Sequence, residues 1–114
     1  MNEILWKPTL SEIEDSQAWE FIQEANVKIN ISLENFHDLY KWSCKCPDSF
    51  WELFSSYSRI IVDKKSKKVL KNGEDFLKSE WFSDSKLNFA KNLLSKRDQT
   101  PAIIFGAKIN IKVL

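Results

Sequence analysis

The sequence has almost no glycine: Gly73 and Gly106 are the only two in 114 residues. Loops that cradle phosphate with backbone N–H groups need several glycines at close spacing, so neither a Walker-type nor a dinucleotide-type loop can be written here. Histidine is scarcer still, with His37 standing alone. Cysteine occurs twice, as Cys44 and Cys46. That pair is too close for an ordinary structural bridge and too small for a zinc site, so both residues read as reduced thiols. The net charge is only +1, from 17 basic and 16 acidic residues, which makes none of the long-range field that a nucleic-acid partner would require. No apolar run approaches the roughly twenty residues of a membrane span, and Met1-Asn2-Glu3 begins no signal-peptide pattern. The expectation is a cytoplasmic chain with no nucleic-acid and no membrane partner.

Aromatic side chains, by contrast, are plentiful at 13%, with five Trp and eight Phe. They favour a folded chain over a disordered one. The length fits one small domain or part of a larger one. Leu5-Trp6-Lys7-Pro8 is extended, because the residue before a proline is pushed out of the helical region. Thr9-Leu10-Ser11-Glu12 has the form of a capping box and predicts a helix to about residue 28. Ala18, Phe21, Ile22 and Ala25 are spaced as its buried face, and Asp15-Ser16 offers a second cap and a break. Ser32 is the expected cap of a helix over residues 33–43. Its inner stripe is Leu33, Phe36 and Tyr40, with Leu39 and Trp42 beside it. Cys46-Pro47 ends that helix, and Pro47 with Asp48 opens another at positions that suit both. Phe50, Trp51, Phe54 and Tyr57 give this third helix a broad aromatic face, the mark of a core or an interface.

Arg59-Ile60-Ile61-Val62 is a short apolar run rich in β-branched residues. Five lysines follow within residues 63–72, namely Lys64, Lys65, Lys67, Lys68 and Lys71. They are either an anion-binding patch or a hairpin edge kept soluble by charge, and the flanking Asp63, Glu74 and Asp75 favour the edge. Residues 74–80 read as a short helix or turn.

Residues 81–94 are expected to be the centre of the fold. The aromatic pair Trp81-Phe82 leads through Ser83-Asp84-Ser85 into a helical pattern, with Asp84 or Ser85 as cap. Leu87, Ala90 and Leu94 form its apolar stripe, widened by Phe89 and Leu93. Asn88 and Asn92 sit four apart where a surface helix would more cheaply carry Glu, Lys or Ala. After a polar connector, Ala102-Ile103-Ile104-Phe105 reads as a strand, Gly106-Ala107 as a turn, and the alternation over residues 108–113 as a second strand. A lone hairpin is marginal in water, so the expectation is a chain that is a piece of something longer.

No catalytic constellation emerges. His37 and Cys44 are seven apart, two turns of one helix and about 10 Å of rise, too far for a Cys–His pair unless the helix breaks at Trp42. Glu12 with Glu14, and Asp15 with Glu20, lie on polar faces without apolar neighbours to raise a pKa. The expected lists of catalytic, cofactor-binding and metal-binding residues are all empty.

The ordered motifs do carry a resemblance. Leu5-Trp6-x-Pro8 is followed by His37…Tyr40-x-Trp42-Ser43, Pro47-x-x-Phe50-Trp51, Trp81-Phe82 and Leu87-Asn88. Asn92-Leu93-Leu94 and Pro101-Ala102-Ile103-Ile104-Phe105 complete the set. Each is weak alone; in this order they resemble the N-terminal region of acyl-CoA synthetases of the adenylate-forming ligase superfamily. The similarity runs over about residues 5–105. It is greater to acetoacetyl-CoA synthetases (acetoacetate–CoA ligases) than to acetyl-CoA synthetases. The latter share Ser43, Phe50-Trp51 and Trp81-Phe82…Leu87-Asn88 but lack the Leu5-Trp6 and Asn92-Leu93-Leu94…Pro101 pieces. One departure stands out: the family usually has a glycine in the turn after Trp-Phe, where this chain has Ser83-Asp84-Ser85. That turn must use another geometry or strain Asp84 or Ser85.

The resemblance implies a mainly α fold of three to five helices with a small C-terminal β-hairpin, the truncated N-terminal cap of an α/β adenylation domain. Residues 1–100 would be the helical domain and 101–114 the first strands of the adenylation domain, the partner in the same polypeptide. The parent would be a ligase of lipid metabolism using ATP, magnesium and coenzyme A, with none of their binding residues in these 114 and no activity in this chain alone. The alternative is a stand-alone helical interaction module with an aromatic docking face.

Overall fold

The computed structural model describes residues 3–106 and the backbone of residues 111–113. Helix α1 (Leu10–Glu14) starts from the expected capping box: the Thr9 N–H donates to Glu12 Oε2 at 2.7 Å, and the Glu12 N–H donates to Thr9 Oγ1 at 3.3 Å. The chain then breaks at Ser16. Its hydroxyl donates to the Ile13 carbonyl at 2.6 Å and accepts the Trp19 N–H at 3.2 Å, capping α2 (Gln17–Ile29).

The connector after α2 is pinned by Asn26. The Leu33 N–H donates to Asn26 Oδ1 at 2.7 Å, and Asn26 Nδ2 donates to the Leu33 carbonyl at 2.9 Å. Leu33 therefore cannot enter a helix, and α3 (Phe36–Lys45) begins later than expected. Its cap is Asn35, whose Oδ1 accepts the Asp38 N–H at 2.9 Å, and not Ser32. The buried side also differs from the expected stripe. Leu39 is buried and Trp42 half-buried, while Phe36 and Tyr40 are exposed.

Cys46 ends α3 and precedes Pro47, the first residue of α4 (Pro47–Tyr57). Its N–H donates to the Trp42 carbonyl at 2.8 Å, and its own carbonyl accepts the Phe50 N–H at 3.0 Å. The core lies among α2, α3 and α4 and consists of Phe21, Ile22, Ala25, Leu39 and Leu53, with Ala18 outside it. Phe21 is met edge-on by Phe50, Phe54 and Tyr57 at centroid distances of 5.7, 5.6 and 5.1 Å, the arrangement that the ring quadrupole favours.

Residues 58–94 form an arm beside this bundle. Strands β1 (Leu70–Lys71) and β2 (Glu80–Trp81) pair antiparallel, Leu70 opposite Trp81 and Lys71 opposite Glu80. An antiparallel bridge joins Lys64 to Lys86. The lysine run is thus a ragged hairpin edge, and residues 74–79 are turns.

Residues 81–94 are not the centre of the fold. The helix α5 (Phe89–Leu93) has only five residues, because Asn88 takes the cap: its Oδ1 accepts the Lys91 N–H at 3.0 Å. So short a helix cannot carry a stripe of i, i+3 and i+7. Leu87, Ala90 and Leu94 are exposed, and Trp81 is 45% exposed. Asp84 caps nothing in this helix; it accepts the Ser66 hydroxyl and, at 3.3 Å, the Lys67 N–H. The strain expected at Asp84 or Ser85 falls instead on Phe82, with φ of 46°.

Strands β3 (Ile104–Gly106) and β4 (Ile111–Val113) pair antiparallel with Ile104 opposite Val113. Gly106 belongs to β3, and the rest of the expected turn lies outside the described residues. The fold is mainly α, with five helices among the described residues and a small β-hairpin at the C-terminal end.

Candidate docking face

A compact protein of 13.4 kDa exposes about 6,500 Å², whereas this chain exposes 10339 Å². Its radius of gyration is 19.4 Å, against about 13 Å for a compact domain of this length. Many large apolar side chains stand on that surface. The exposed large side chains include Trp6, Trp51, Phe76, Trp81, Leu87 and Phe89.

The best-formed concavity lies between α4 and the arm and has a volume of about 420 Å³. Glu52, Ser55 and Ser56 of α4 form one wall; Ile60, Val62 and Val69 another; Phe82 and Leu87 close it. The arm is held there by its own backbone. Lys86 accepts the Asp63 N–H at 2.8 Å, and Val69 accepts the Phe82 N–H at 2.7 Å. Asn92 fixes Ile61 from the other side, accepting its N–H at 2.7 Å and donating to its carbonyl at 2.9 Å.

The groove is less polar than its residue types suggest. The Ser55 hydroxyl donates to the Glu52 carbonyl at 2.8 Å, and the single Ser66 hydroxyl proton has two acceptors in reach, the Lys68 carbonyl at 2.7 Å and the Asp84 carboxylate. Both hydroxyls are therefore engaged within the chain. Trp51 meets Trp81 edge-on at 6.3 Å, and these two with Phe82 line a smaller hollow beside the groove.

Few groups are electrostatically perturbed. The Ser66 hydroxyl, then the Lys67 N–H, hold Asp84 below the ordinary carboxylate range, with the Lys71 charge contributing last. Tyr57 is raised by burial and by its hydrogen bond to Glu20 at 3.1 Å. Tyr40 is raised by the neighbouring Cys44 thiol. His37 and Cys44 lie exposed on an unbroken α3, two turns apart, and form no Cys–His pair. Glu12 is occupied by its capping box and Glu20 by Tyr57.

Among the described residues no group of three His, Cys, Asp or Glu side chains is placed to hold a metal. No described helix is long and apolar enough to cross a membrane. Gly73 makes room for Leu70, whose Cδ2 would lie 2.6 Å from an added Cβ, and not for a phosphate.

The elements that build this face, α3 to α5 with the arm between them, coincide with a known family. A family model described as acetyl-coenzyme A synthetase N-terminus matches residues 36–93, 58 of the 114 residues, and the chain belongs to that family. Within it, the chain is similar to acetoacetyl-CoA synthetases. It is 28% identical over 106 residues to that of Xenopus tropicalis, a match covering 92% of this chain and 16% of the relative. A malonamoyl-CoA synthetase of Penicillium aethiopicum is 33% identical over 93 residues, covering 81% of this chain and 13% of the relative. The structure of the acetoacetyl-CoA synthetase from Streptomyces lividans superposes with a TM-score of 0.81 at 22% identity, over 90% of this chain and 16% of that one. This superposition shows the shared fold. The chain spans about a sixth of the relatives it matches.

Sequence reasoning missed Asn26 and Asn35, which fix the connector and cap before α3, and it named Phe82 without its backbone conformation. The signal for that conformation was the absence of glycine from the turn after Phe82.

Proposed function

We propose that the chain is the N-terminal packing domain of an ATP-dependent acetoacetate–CoA ligase. The parent joins carboxylate, ATP and coenzyme A into acyl-CoA, AMP and pyrophosphate through an acyl-adenylate. Residues 1–100 form the helical domain, residues 101–114 are the first strands of the adenylation domain, and that domain is the partner in the same polypeptide. ATP, magnesium and coenzyme A are bound by the parent elsewhere, and the present chain contributes packing without catalysis.

The observation that carries this reading is the disproportion between five buried core side chains among the described residues and a surface of 10339 Å² on a chain matching a sixth of its relatives. Folding that exposes so much apolar surface needs a cover. The acyl group is the part most in need of a test, since the Penicillium relative is named for a different one.

The test is to express the full open reading frame and compare thioester formation from acetoacetate, acetate and longer acids at equal concentration. Acetoacetate should be preferred. A preference for acetate moves the parent to the sister family, and no adenylation of any acid leaves a stand-alone helical interaction module.

A further inference from the structure

The arm is bonded to itself from end to end. At its base Asn92 holds the Ile61 backbone at 2.7 and 2.9 Å, and Lys91 Nζ reaches Asp63 Oδ1 at 2.7 Å. The next level is a backbone bridge. The Lys86 carbonyl accepts the Asp63 N–H at 2.8 Å and the Lys64 N–H at 3.1 Å, and the Lys86 N–H donates to the Lys64 carbonyl at 3.0 Å. Further out, the Lys67 N–H donates to Asp84 Oδ2 at 3.3 Å and the Phe82 N–H to the Val69 carbonyl at 2.7 Å. The segment leaves the bundle and returns to its own starting point.

Its attachment to the bundle is of another kind. Among the described residues, the hydrogen bonds that join the two parts are those that finish α4. The Arg59 N–H donates to the Ser56 carbonyl at 3.1 Å, and the Ile60 N–H to the Ser55 carbonyl at 3.3 Å. The ion pairs among the described residues, Lys28–Glu24, Lys78–Asp75 and Lys91–Asp63, each stay within one part. One aromatic contact crosses, Trp51 against Trp81. Elsewhere the two parts face each other across the open groove of about 420 Å³, where a shared core would be close-packed.

The two bonds at the end of α4 form a Schellman closure, in which Arg59 is the left-handed residue with φ of 54°. Glycine takes that conformation freely, whereas the Cβ of arginine crowds its carbonyl oxygen. The closure is therefore held at a cost, and releasing it leaves every hydrogen bond within the arm in place.

We infer that residues 60–94 swing as one body on a hinge at Arg59, widening and narrowing the groove beside α4, with the Trp51–Trp81 contact as the latch. A hinge needs a few residues at the end of an element that absorb a dihedral change between bodies rigid in themselves. Arg59 stands where the chain passes from one such body to the other. The inference concerns two parts of this chain and is independent of the ligase reading.

The experiment measures distances between paired spin labels on the 114-residue chain by double electron–electron resonance, with Cys44→Ser and Cys46→Ser clearing the background. The labels sit at exposed positions introduced as cysteine. Gln23 of α2 with Glu74 of the arm spans the hinge. Gln23 with Lys41 of α3 is the control within the bundle, and Glu74 with Lys86 the control within the arm. The spanning distribution should be at least about twice as wide as either control. Arg59→Pro, which forbids a positive φ, should move its mean and leave both controls unmoved. Trp51→Ala, which keeps the hinge residue, should widen it further, and it decides with the parent chain alone if Arg59→Pro does not fold. A spanning distribution as narrow as the controls overturns the inference, because the arm is then fixed. A broad control within the arm overturns it too, because the arm then loosens internally. A spanning distance that neither variant alters removes both hinge and latch.

Discussion

Asn92 grips Ile61 by both polar groups of its backbone. The Ile61 N–H donates to Asn92 Oδ1 at 2.7 Å, and Asn92 Nδ2 donates to the Ile61 carbonyl at 2.9 Å. Asn26 does the same to Leu33, also at 2.7 and 2.9 Å. In each case one side-chain amide takes the place of a neighbouring strand for a connector that has none. One pin sets the turn from α2 into α3, and the other ties the start of the arm to α5.

Replacing Asn92 with Ala leaves both Ile61 groups without their partner at a half-buried position. The expected loss is about 1–3 kcal/mol. Asn92→Asp, which keeps the acceptor and loses the donor, should fall between Asn92→Ala and the parent protein. Urea melts followed by tryptophan fluorescence measure this, with Lys96→Ala as a surface control expected within about 0.5 kcal/mol of neutral. If Asn92→Ala matches the control, water has replaced the pin.

Core and face should respond differently to truncation. Ile22 is 2% exposed, and Ile22→Ala is expected to cost about 2–5 kcal/mol. Trp81 is 45% and Leu87 53% exposed, so Trp81→Ala and Leu87→Ala should cost clearly less than Ile22→Ala in the 114-residue chain. Thermal melts of the three variants make the comparison. An equal loss at Trp81 would restore residues 81–94 to the core that the helical periodicity predicts.

Asn30 ends α2 with φ of 56°, and Asn72 follows β1 with φ of 53°. Gly at either position should be nearly neutral, whereas Val should cost about 1–2 kcal/mol, because its Cβ crowds the carbonyl in the left-handed region. Denaturation midpoints of the four variants test this. A neutral Asn72→Val would show that the turn after β1 relaxes to another conformation.

Asp84 gives the arm an acid limit. Its carboxyl is held below the ordinary range by Ser66 and the Lys67 N–H, so the folded state favours the ionised form. This contribution is complete above the ordinary aspartate range and is lost as pH falls through that range toward the lower folded value. Asp84→Asn should therefore flatten the acid limb of the stability profile. Tryptophan fluorescence from about pH 5 to pH 2 monitors it, and an unchanged limb in Asp84→Asn would place the acid sensitivity elsewhere.

The parts legible in the sequence were those set by neighbours in the chain. The Thr9–Glu12 capping box, the break at Ser16 and the start of α4 at Pro47 all depend on contacts within four residues. The hairpin of β3 and β4 followed from the apolar run at Ala102–Phe105 and the alternation after Gly106-Ala107. What escaped depended on distant partners. Ser32 loses the cap of α3 because Asn26 takes the backbone at Leu33. Asp84 is diverted to Ser66, 18 residues away, so Asn88 caps α5. The docking face was half legible: the aromatic stripe of α4 was seen as core or interface, and its outer residue Trp51 proves to be exposed against Trp81. The missing glycine predicted either another turn geometry or strain at Asp84 or Ser85; the turn takes the other geometry, with the positive φ at Phe82.

Cys46 is at once the last cap of α3 and the first of α4. Two helices joined through one residue have no slack, and the proline that follows removes a further degree of rotation. Insertions should therefore be poorly tolerated at this joint, whereas the exposed turn between β1 and β2 can lengthen at little entropic expense. Over evolutionary time the elbow would keep its length while the hairpin tip drifted, and alignments of this region should be anchored at Pro47.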